Sequence, residues 1–157
     1  MLRSTSHEGN GMDRIPHEGG CHCAALRWRF DTTRTAGEIA PRACDCDFCS
    51  RHRAGWVSDS QGMLRIEVLH AGNLQRYRQG SQQAEFLVCG VCGVLVAVVA
   101  RSEDGRLLGA ANCNAFDRRD GFAEPTTVSP RLLAADAKLD RWTHLWTPAE
   151  LVLEQRF

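Results

Sequence analysis

The chain has 157 residues, of which 43% are hydrophobic, enough to form one domain with a substantial core. Its 19 lysines and arginines balance its 19 aspartates and glutamates, so no net charge would attract nucleic acid or a membrane surface. The N-terminus lacks the apolar core of a signal peptide, and no later stretch is long enough to span a bilayer, so we expect a cytoplasmic protein with reduced thiols.

The first predicted strand follows a polar segment. Residues 1–16 contain glycine and show no periodicity, which predicts a flexible tail, with 17–157 forming a single domain. From Cys23 onward apolar residues alternate with arginines, the pattern of a half-buried strand. Its inward-facing side chains would be Leu26, Trp28 and Phe30.

The middle of the chain predicts further strands and so a mainly β fold. Apolar residues at 64, 66 and 68 alternate with charged ones, and the turn-forming residues 70–73 precede a second short strand over 74–78, which together predict an antiparallel hairpin. Residues 93–100 are continuously apolar and rich in β-branched side chains, which is typical of a buried central strand. Its partner would start at Leu107.

The end of the chain carries a signal for a helix. Thr147 and Glu150 have the spacing of a capping box, and Pro148 suits the first position of a helix. These residues favour a short helix over the alternative, a terminal strand.

The most informative feature is the spacing of eight cysteines. They form three groups and one single residue: Cys21 and Cys23; Cys44, Cys46 and Cys49; Cys89 and Cys92; and Cys113. A disulfide framework is the alternative to metal binding, but thiols one residue apart are poorly placed to pair with each other. The spacing therefore favours metal ions.

Two paired-thiol loops can close a tetrahedral zinc site. Cys21, Cys23, Cys89 and Cys92 would supply four sulfur ligands and connect the first strand to the long apolar strand. In the second loop, glycines at 90 and 93 let the backbone curl around the sulfurs. We predict a structural zinc ion at these four cysteines.

The middle group offers three thiols within six residues. Three protein ligands leave one position for a substrate, so Cys44, Cys46 and Cys49 are the candidate catalytic zinc ligands. A second structural zinc, closed by His52 or Cys113, is the alternative. His52 lies in a polar turn that suggests an unliganded surface group, and Cys113 is more typical of a small buried hydrophobe.

The three groups and their surroundings resemble the glutathione-dependent formaldehyde-activating family, which includes the centromere-protein-V-like domains. The resemblance runs from about Gly20 to Asp117 and is carried by G-C-H-C-A-A-L-R-W, C-D-C-D-F-C-S-R-H-R-A-G, Y-R-Q-G-S and C-G-V-C-G. It implies a tent-like fold of small antiparallel sheets joined by the four-cysteine zinc site. It also implies a labile catalytic zinc at the three-cysteine group, giving two zinc ions per chain.

The resemblance further implies carbon–sulfur lyase chemistry, in which a thiol such as glutathione adds to a small aldehyde such as formaldehyde. The expected partners are thus small molecules, with no nucleic acid and no membrane, and exposed strand edges favour a homodimer. The alternative function is a non-enzymatic zinc-binding module for protein interaction. Basic extensions would suit such a module, but this chain has no lysine cluster.

Overall fold

The computed structural model describes residues 13–154 and is mainly β, as the sequence predicts. This part of the chain contains eleven strands and two α-helices. The early strands are β1 (Ile15–Gly20), β2 (Leu26–Thr32), β3 (Arg42–Cys44), β4 (Gly55–Val57), β5 (Met63–Val68) and β6 (Leu74–Tyr77). The later strands are β7 (Glu85–Cys89), β8 (Leu95–Arg101), β9 (Leu107–Asn112), β10 (Thr126–Val128) and β11 (Thr147–Leu153). The helices are α1 (Asp47–Arg51) and α2 (Ala135–Leu145).

The strands form a branched mixed sheet. One arm has the order β1-β2-β5-β11, a second runs β9-β8-β7-β6, and a third runs β9-β4-β3-β10. Most neighbours are antiparallel, whereas β5 with β11 and β3 with β10 are parallel. Strand β11 joins the arms, because Thr147 and Pro148 pair with β9 and residues 149–153 pair with β5.

Alternation in β2 places its apolar residues in the core, as predicted. Leu26, Trp28 and Phe30 are buried, whereas Arg29 is exposed. The predicted central strand is β8, which pairs with β9 as an antiparallel neighbour. Strand β1 begins at Ile15, inside the range predicted as a tail, and residues 1–12 of that prediction lie outside the described residues.

The predicted hairpin between β5 and the strand at 74–78 is wrong. The strand exists as β6, but it pairs with β7 and not with β5. The physical reason is that both edges of β5 are already occupied, by β2 on one side and β11 on the other. The predicted turn is a short 3₁₀ helix over Ala71–Asn73 that carries the chain away to the other arm.

The predicted helix starting at Thr147 is also wrong, because this segment is strand β11. The Thr147 hydroxyl accepts a hydrogen bond from the Asp59 backbone N–H (2.8 Å) and not from the N–H groups of a helix that would follow it. The strand gains partners in both β5 and β9, which a surface helix would lack. The helix of this region lies just upstream, as α2.

Two groups of buried side chains form the core. The larger one lies over β2 and β5 and includes Phe30, Leu64 and Ile66. The smaller one packs the aromatic rings of Trp56, Phe86, Trp142 and Trp146 against the three-cysteine group. Within residues 13–154, no helix combines the length and apolarity needed to cross a bilayer.

Candidate functional site

The first thiol cluster, here called the four-cysteine cluster, joins two hairpins. Cys21 and Cys23 lie in the turn between β1 and β2, while Cys89 ends β7 and Cys92 lies in the turn before β8. All four Sγ atoms lie within 4.8 Å of one another. The cluster could therefore hold a metal ion at the point where the sequence predicts one.

The spacing of the sulfurs suits zinc. The Sγ atoms of Cys21 and Cys23 are 3.7 Å apart, and those of Cys23 and Cys89 are 3.6 Å apart. A tetrahedron with Zn–S bonds of about 2.3 Å has edges of about 3.8 Å. The distances match this geometry without further movement of the chain.

Backbone amides are directed at the sulfurs in both loops. The N–H of Leu26 donates to the Cys21 sulfur (3.2 Å), and the N–H groups of Val91 and Cys92 donate to the Cys89 sulfur (3.4 and 3.5 Å). The second loop depends on Gly93, whose φ of +81° favours glycine. Such donors stabilise thiolates, the form in which cysteine binds metal.

The sulfurs of this cluster differ in acidity. Burial raises the pKa of Cys21 to about 12. Burial also acts to raise the pKa of Cys92, but the backbone N–H groups of Cys23 and Val94 and neighbouring thiols lower it to about 6. Since a bound metal ion requires thiolates, binding at this cluster releases protons.

The second thiol cluster, here called the three-cysteine cluster, is built by one strand and one helix. Cys44 ends β3, Cys46 is the N-cap of α1, and Cys49 lies inside α1. The Cys46 sulfur accepts a hydrogen bond from the Cys49 N–H (3.4 Å), as an N-cap side chain does. The three Sγ atoms lie within 4.8 Å of one another, so this cluster too could hold a metal ion.

No other histidine, cysteine or carboxylate in residues 13–154 joins this group within the same spacing. His52 is exposed, and its ring packs on Phe48 with a centroid separation of 4.7 Å. Cys113 is half-buried, less than the sequence predicts, and packs against the larger core group outside both clusters. The three-cysteine cluster thus has one ligand fewer than the four-cysteine cluster.

Proton sharing within the three-cysteine cluster produces one acidic thiol. A hydrogen bond from the Cys49 thiol lowers the pKa of Cys44 to about 6, and the same interaction raises the pKa of Cys49. Burial raises the pKa of Cys46. Cys44 is therefore the thiol of this cluster that loses its proton most readily.

A cavity of about 190 Å³ opens directly beside the three-cysteine cluster. All three cysteines line it, and aromatic rings form much of its wall. Trp142 and Trp146 stack with centroids 4.7 Å apart, and Trp56 lies 6.0 Å from Phe86. The three sulfurs therefore border a cavity with a largely apolar wall.

Four cations also line the cavity, namely Arg42, Arg131, Lys138 and Arg141, whereas its described lining contains no aspartate, glutamate or histidine. Arg131 pairs with Asp45 at 3.1 Å. Burial and the neighbouring guanidinium groups of Arg141 and Arg34 lower the pKa of Arg42 to about 10, so that it stays charged at neutral pH. The cavity thus offers positive charge to an anionic guest.

Several lining residues were not predicted as site residues. Gln79 and Ser81 belong to the Y-R-Q-G-S stretch that carries the family resemblance, and the Gln79 amide nitrogen lies 3.8 Å from the Cys46 sulfur. Lys138, Arg141 and Trp142 lie on α2. Their spacing of three and four residues along the sequence was a usable signal for a helix with one side toward the site.

Together, the fold and the site define a mainly β protein with two thiol clusters of unequal ligand number and one cation-lined cavity. No family profile and no curated protein matches the chain. It is similar to a crystal structure of a Rhodobacter sphaeroides protein, a structural genomics target, with 26% identity and a TM-score of 0.49. The match covers 69% of this chain and 99% of that one. A similarity of this strength assigns neither a family nor an activity.

Proposed function

We propose that the protein is a zinc-dependent carbon–sulfur lyase that adds a thiol to a small aldehyde and releases it again. The observation that carries the proposal is the position of the three-cysteine cluster, which has one ligand fewer than a closed zinc site and borders a cavity. Structural zinc sites are closed by four protein ligands, whereas catalytic sites keep a position for substrate. The cation-lined cavity suits an anionic thiol such as glutathione.

Cys44, Cys46 and Cys49 would hold a zinc ion, whose positive charge would favour the thiolate form of an incoming thiol. The thiolate sulfur attacks the carbonyl carbon, and a C–S bond forms while the π electron pair moves to oxygen. That oxygen takes a proton from water, which replaces the proton that the thiol lost to solvent. The product is a hemithioacetal, and the reverse sequence breaks the C–S bond.

The side chains of the cavity orient the reactants. Its described lining contains no carboxylate or imidazole that could act as a general base. Arg141 and Lys138 on α2 supply positive charge that can hold a carboxylate of the thiol and stabilise the developing alkoxide. Catalysis then comes mainly from thiolate formation and from holding the two reactants together.

The alternative, a zinc module for protein interaction, requires no cavity beside the three thiols. An interaction module would be expected to present its aromatic residues on an exposed surface. Trp56 and Trp142 are instead buried and line the cavity. The enclosed site therefore favours the enzyme.

The test is the exchange rate between free ¹³C-labelled formaldehyde and its glutathione adduct, measured by NMR with increasing protein concentration. We expect the rate to rise in proportion to protein and the Cys46→Ser variant to lose this increase. Cys113→Ser is the matched control, since its sulfur lies outside both clusters, and it should retain the activity. Rates equal to those with zinc salt alone, for glutathione and for several other thiols and aldehydes, would reject the proposal.

A further inference from the structure

The cation-lined cavity contains a guanidinium group that has no carboxylate partner in the described part of the chain. Arg42 lies on β3, between β4 and β10, and its side chain is partly buried. Its Nη2 donates to the Ser58 hydroxyl (2.6 Å), which in turn donates to the Leu145 carbonyl (2.7 Å). Within residues 13–154 no ion pair involves Arg42. The hydrogen bond to Ser58 holds one nitrogen of the guanidinium group, and the other N–H groups of Arg42 can donate to a bound molecule.

Two further cations face the same space. Lys138 and Arg141 on α2 also form no ion pair within the described chain, and Arg131 is the one lining cation that has such a partner there, Asp45. Like charges gathered in a partly buried site repel one another unless an anion is bound. The lining therefore favours an anionic guest over a neutral one.

The apolar walls of the cavity limit the size and the polarity of the molecule that can bind beside the cations. Trp142, Trp146, Phe86 and Val98 form an apolar surface beside the cations. The volume of about 190 Å³ is below the roughly 300 Å³ at which pockets begin to enclose drug-sized ligands. The cavity can surround a small body with an apolar surface, and the polar remainder of a longer substrate such as a tripeptide would extend out of its open side.

We propose that the cavity binds a small carboxylic acid with an apolar body, its carboxylate against Arg42 and Arg141 and its body against the stacked rings of Trp142 and Trp146. The inference rests on the proposed function in taking this cavity as the substrate site. It narrows the substrate to an apolar acid that carries the thiol or the aldehyde. The pairing of a planar carboxylate with a guanidinium fork fixes which end of the guest faces the three-cysteine cluster.

The experiment uses an unreactive probe, 3-phenylpropionate, and the protein as purified, with tryptophan fluorescence and calorimetry as readouts. The wild type should bind the acid about tenfold or more tightly than its neutral amide, because only the acid can pair with the guanidinium group. The Arg42→Gln variant should lose about that factor for the acid and nothing for the amide. Arg29→Gln, on the outer face of β2, is the matched control and should bind as the wild type does.

Three outcomes of the binding measurements would overturn the inference, besides a failure of the probe to bind at all. Equal affinities of the wild type for the acid and for its amide would show that the cations do not select a carboxylate. This comparison requires no variant. Inorganic phosphate or acetate binding as tightly as the probe would remove the role of the apolar wall. Unchanged affinity in a folded Arg42→Gln protein with normal zinc content would place the guest elsewhere; if that variant does not fold, Arg141→Gln serves in its place.

The binding test and the exchange assay examine separate claims, so either claim can be rejected while the other stands. Tight, Arg42-dependent binding without thiol–aldehyde exchange would reject the proposed lyase activity and leave the acid site in place. Exchange with glutathione and formaldehyde, together with no binding of the probe, would keep the lyase and reject the acid site.

Discussion

At the scale of single residues, Asp59 shows how a polar group outside the site holds the fold together. Its carboxylate is buried and accepts hydrogen bonds from the Thr32 hydroxyl (2.6 Å), the Gln61 N–H (2.9 Å) and the Thr33 N–H (3.3 Å). Its own N–H donates to the Thr147 hydroxyl (2.8 Å). One residue thus ties the end of β2 to the start of β11.

We expect Asp59→Asn to lower the free energy of unfolding by about 2 kcal/mol, since hydrogen bonds to a charged acceptor are replaced and one donor now faces another donor. Backbone N–H groups donate to both carboxylate oxygens, so neither orientation of the amide satisfies all of the partners. Urea unfolding measures the change. Glu67→Gln, in an exposed pair with Arg65, should stay within about 0.5 kcal/mol, and equal losses in the two variants would contradict this account.

The pH dependence of this contribution has a definite sign. Burial acts to raise the pKa of Asp59, but the hydrogen bonds from Thr32, Gln61 and Thr33 outweigh it and lower that pKa. Stabilisation is therefore fully present above the unfolded-state pKa of about 3.9 and is lost as pH falls through the lower folded value. The difference between Asp59→Asn and the wild type should stay constant from neutral pH down to that range.

The cysteine pattern made the two clusters predictable from the sequence, because metal ligands must come in short, geometrically defined spacings. The same is not true of Asp59 or Arg42. A buried aspartate and a half-buried arginine have no local pattern, and their importance follows from which distant strands surround them. Such residues emerge only from the tertiary structure.

At the scale of elements, α2 supplies one wall of the cavity and one side of the smaller core group. Trp142 is 8% exposed and stacks on Trp146, whereas Leu145 at the end of the same helix is 38% exposed. The helix therefore packs through its tryptophan side, and its docking depends on these rings.

We expect Trp142→Ala to cost about 3–5 kcal/mol in unfolding free energy, as for other large-to-small changes in a core. Leu145→Ala is the control on the same helix and should cost under about 1 kcal/mol. Denaturant unfolding followed by circular dichroism measures both. Similar small losses for the two variants would show that α2 is not part of the cooperative unit.

The element predictions that failed have a shared cause. Local patterns placed the strands β2, β5, β8 and β9 correctly, because alternation and apolar runs report burial. They could not report which strand lies beside which. Strand β11 pairs with both β5 and β9. It therefore occupies the edge of β5 at which the predicted hairpin partner would lie. For the same reason Thr147 lies in a strand, although its spacing from Glu150 is that of a helix capping box.

At the scale of the whole molecule, the formal net charge is zero. The cavity beside the three-cysteine cluster is nevertheless lined by four cations and, among the described residues, by no carboxylate. The balanced composition of the chain does not determine the charge at one site. Arg42, Lys138 and Arg141 come from β3 and α2, which are far apart in sequence. The sequence therefore predicts the three-cysteine cluster and not the cations that lie beside it.

The two clusters should also differ in what they do for stability. The four-cysteine cluster links the β1–β2 turn to the β7–β8 turn, and zinc bound there can contribute on the order of 10 kcal/mol, comparable with the whole stability of such a domain. The three-cysteine cluster draws its ligands from residues 44–49 alone. Losing its metal should leave the arms of the sheet connected.

The measurement that tests this division most directly is zinc content combined with circular dichroism for three proteins: the wild type, Cys46→Ser and Cys92→Ser. We predict two zinc ions in the wild type, one zinc ion with a retained fold in Cys46→Ser, and an unfolded chain in Cys92→Ser. Unfolding of Cys46→Ser, or a folded Cys92→Ser protein, would contradict the assignment of one structural and one exchangeable site.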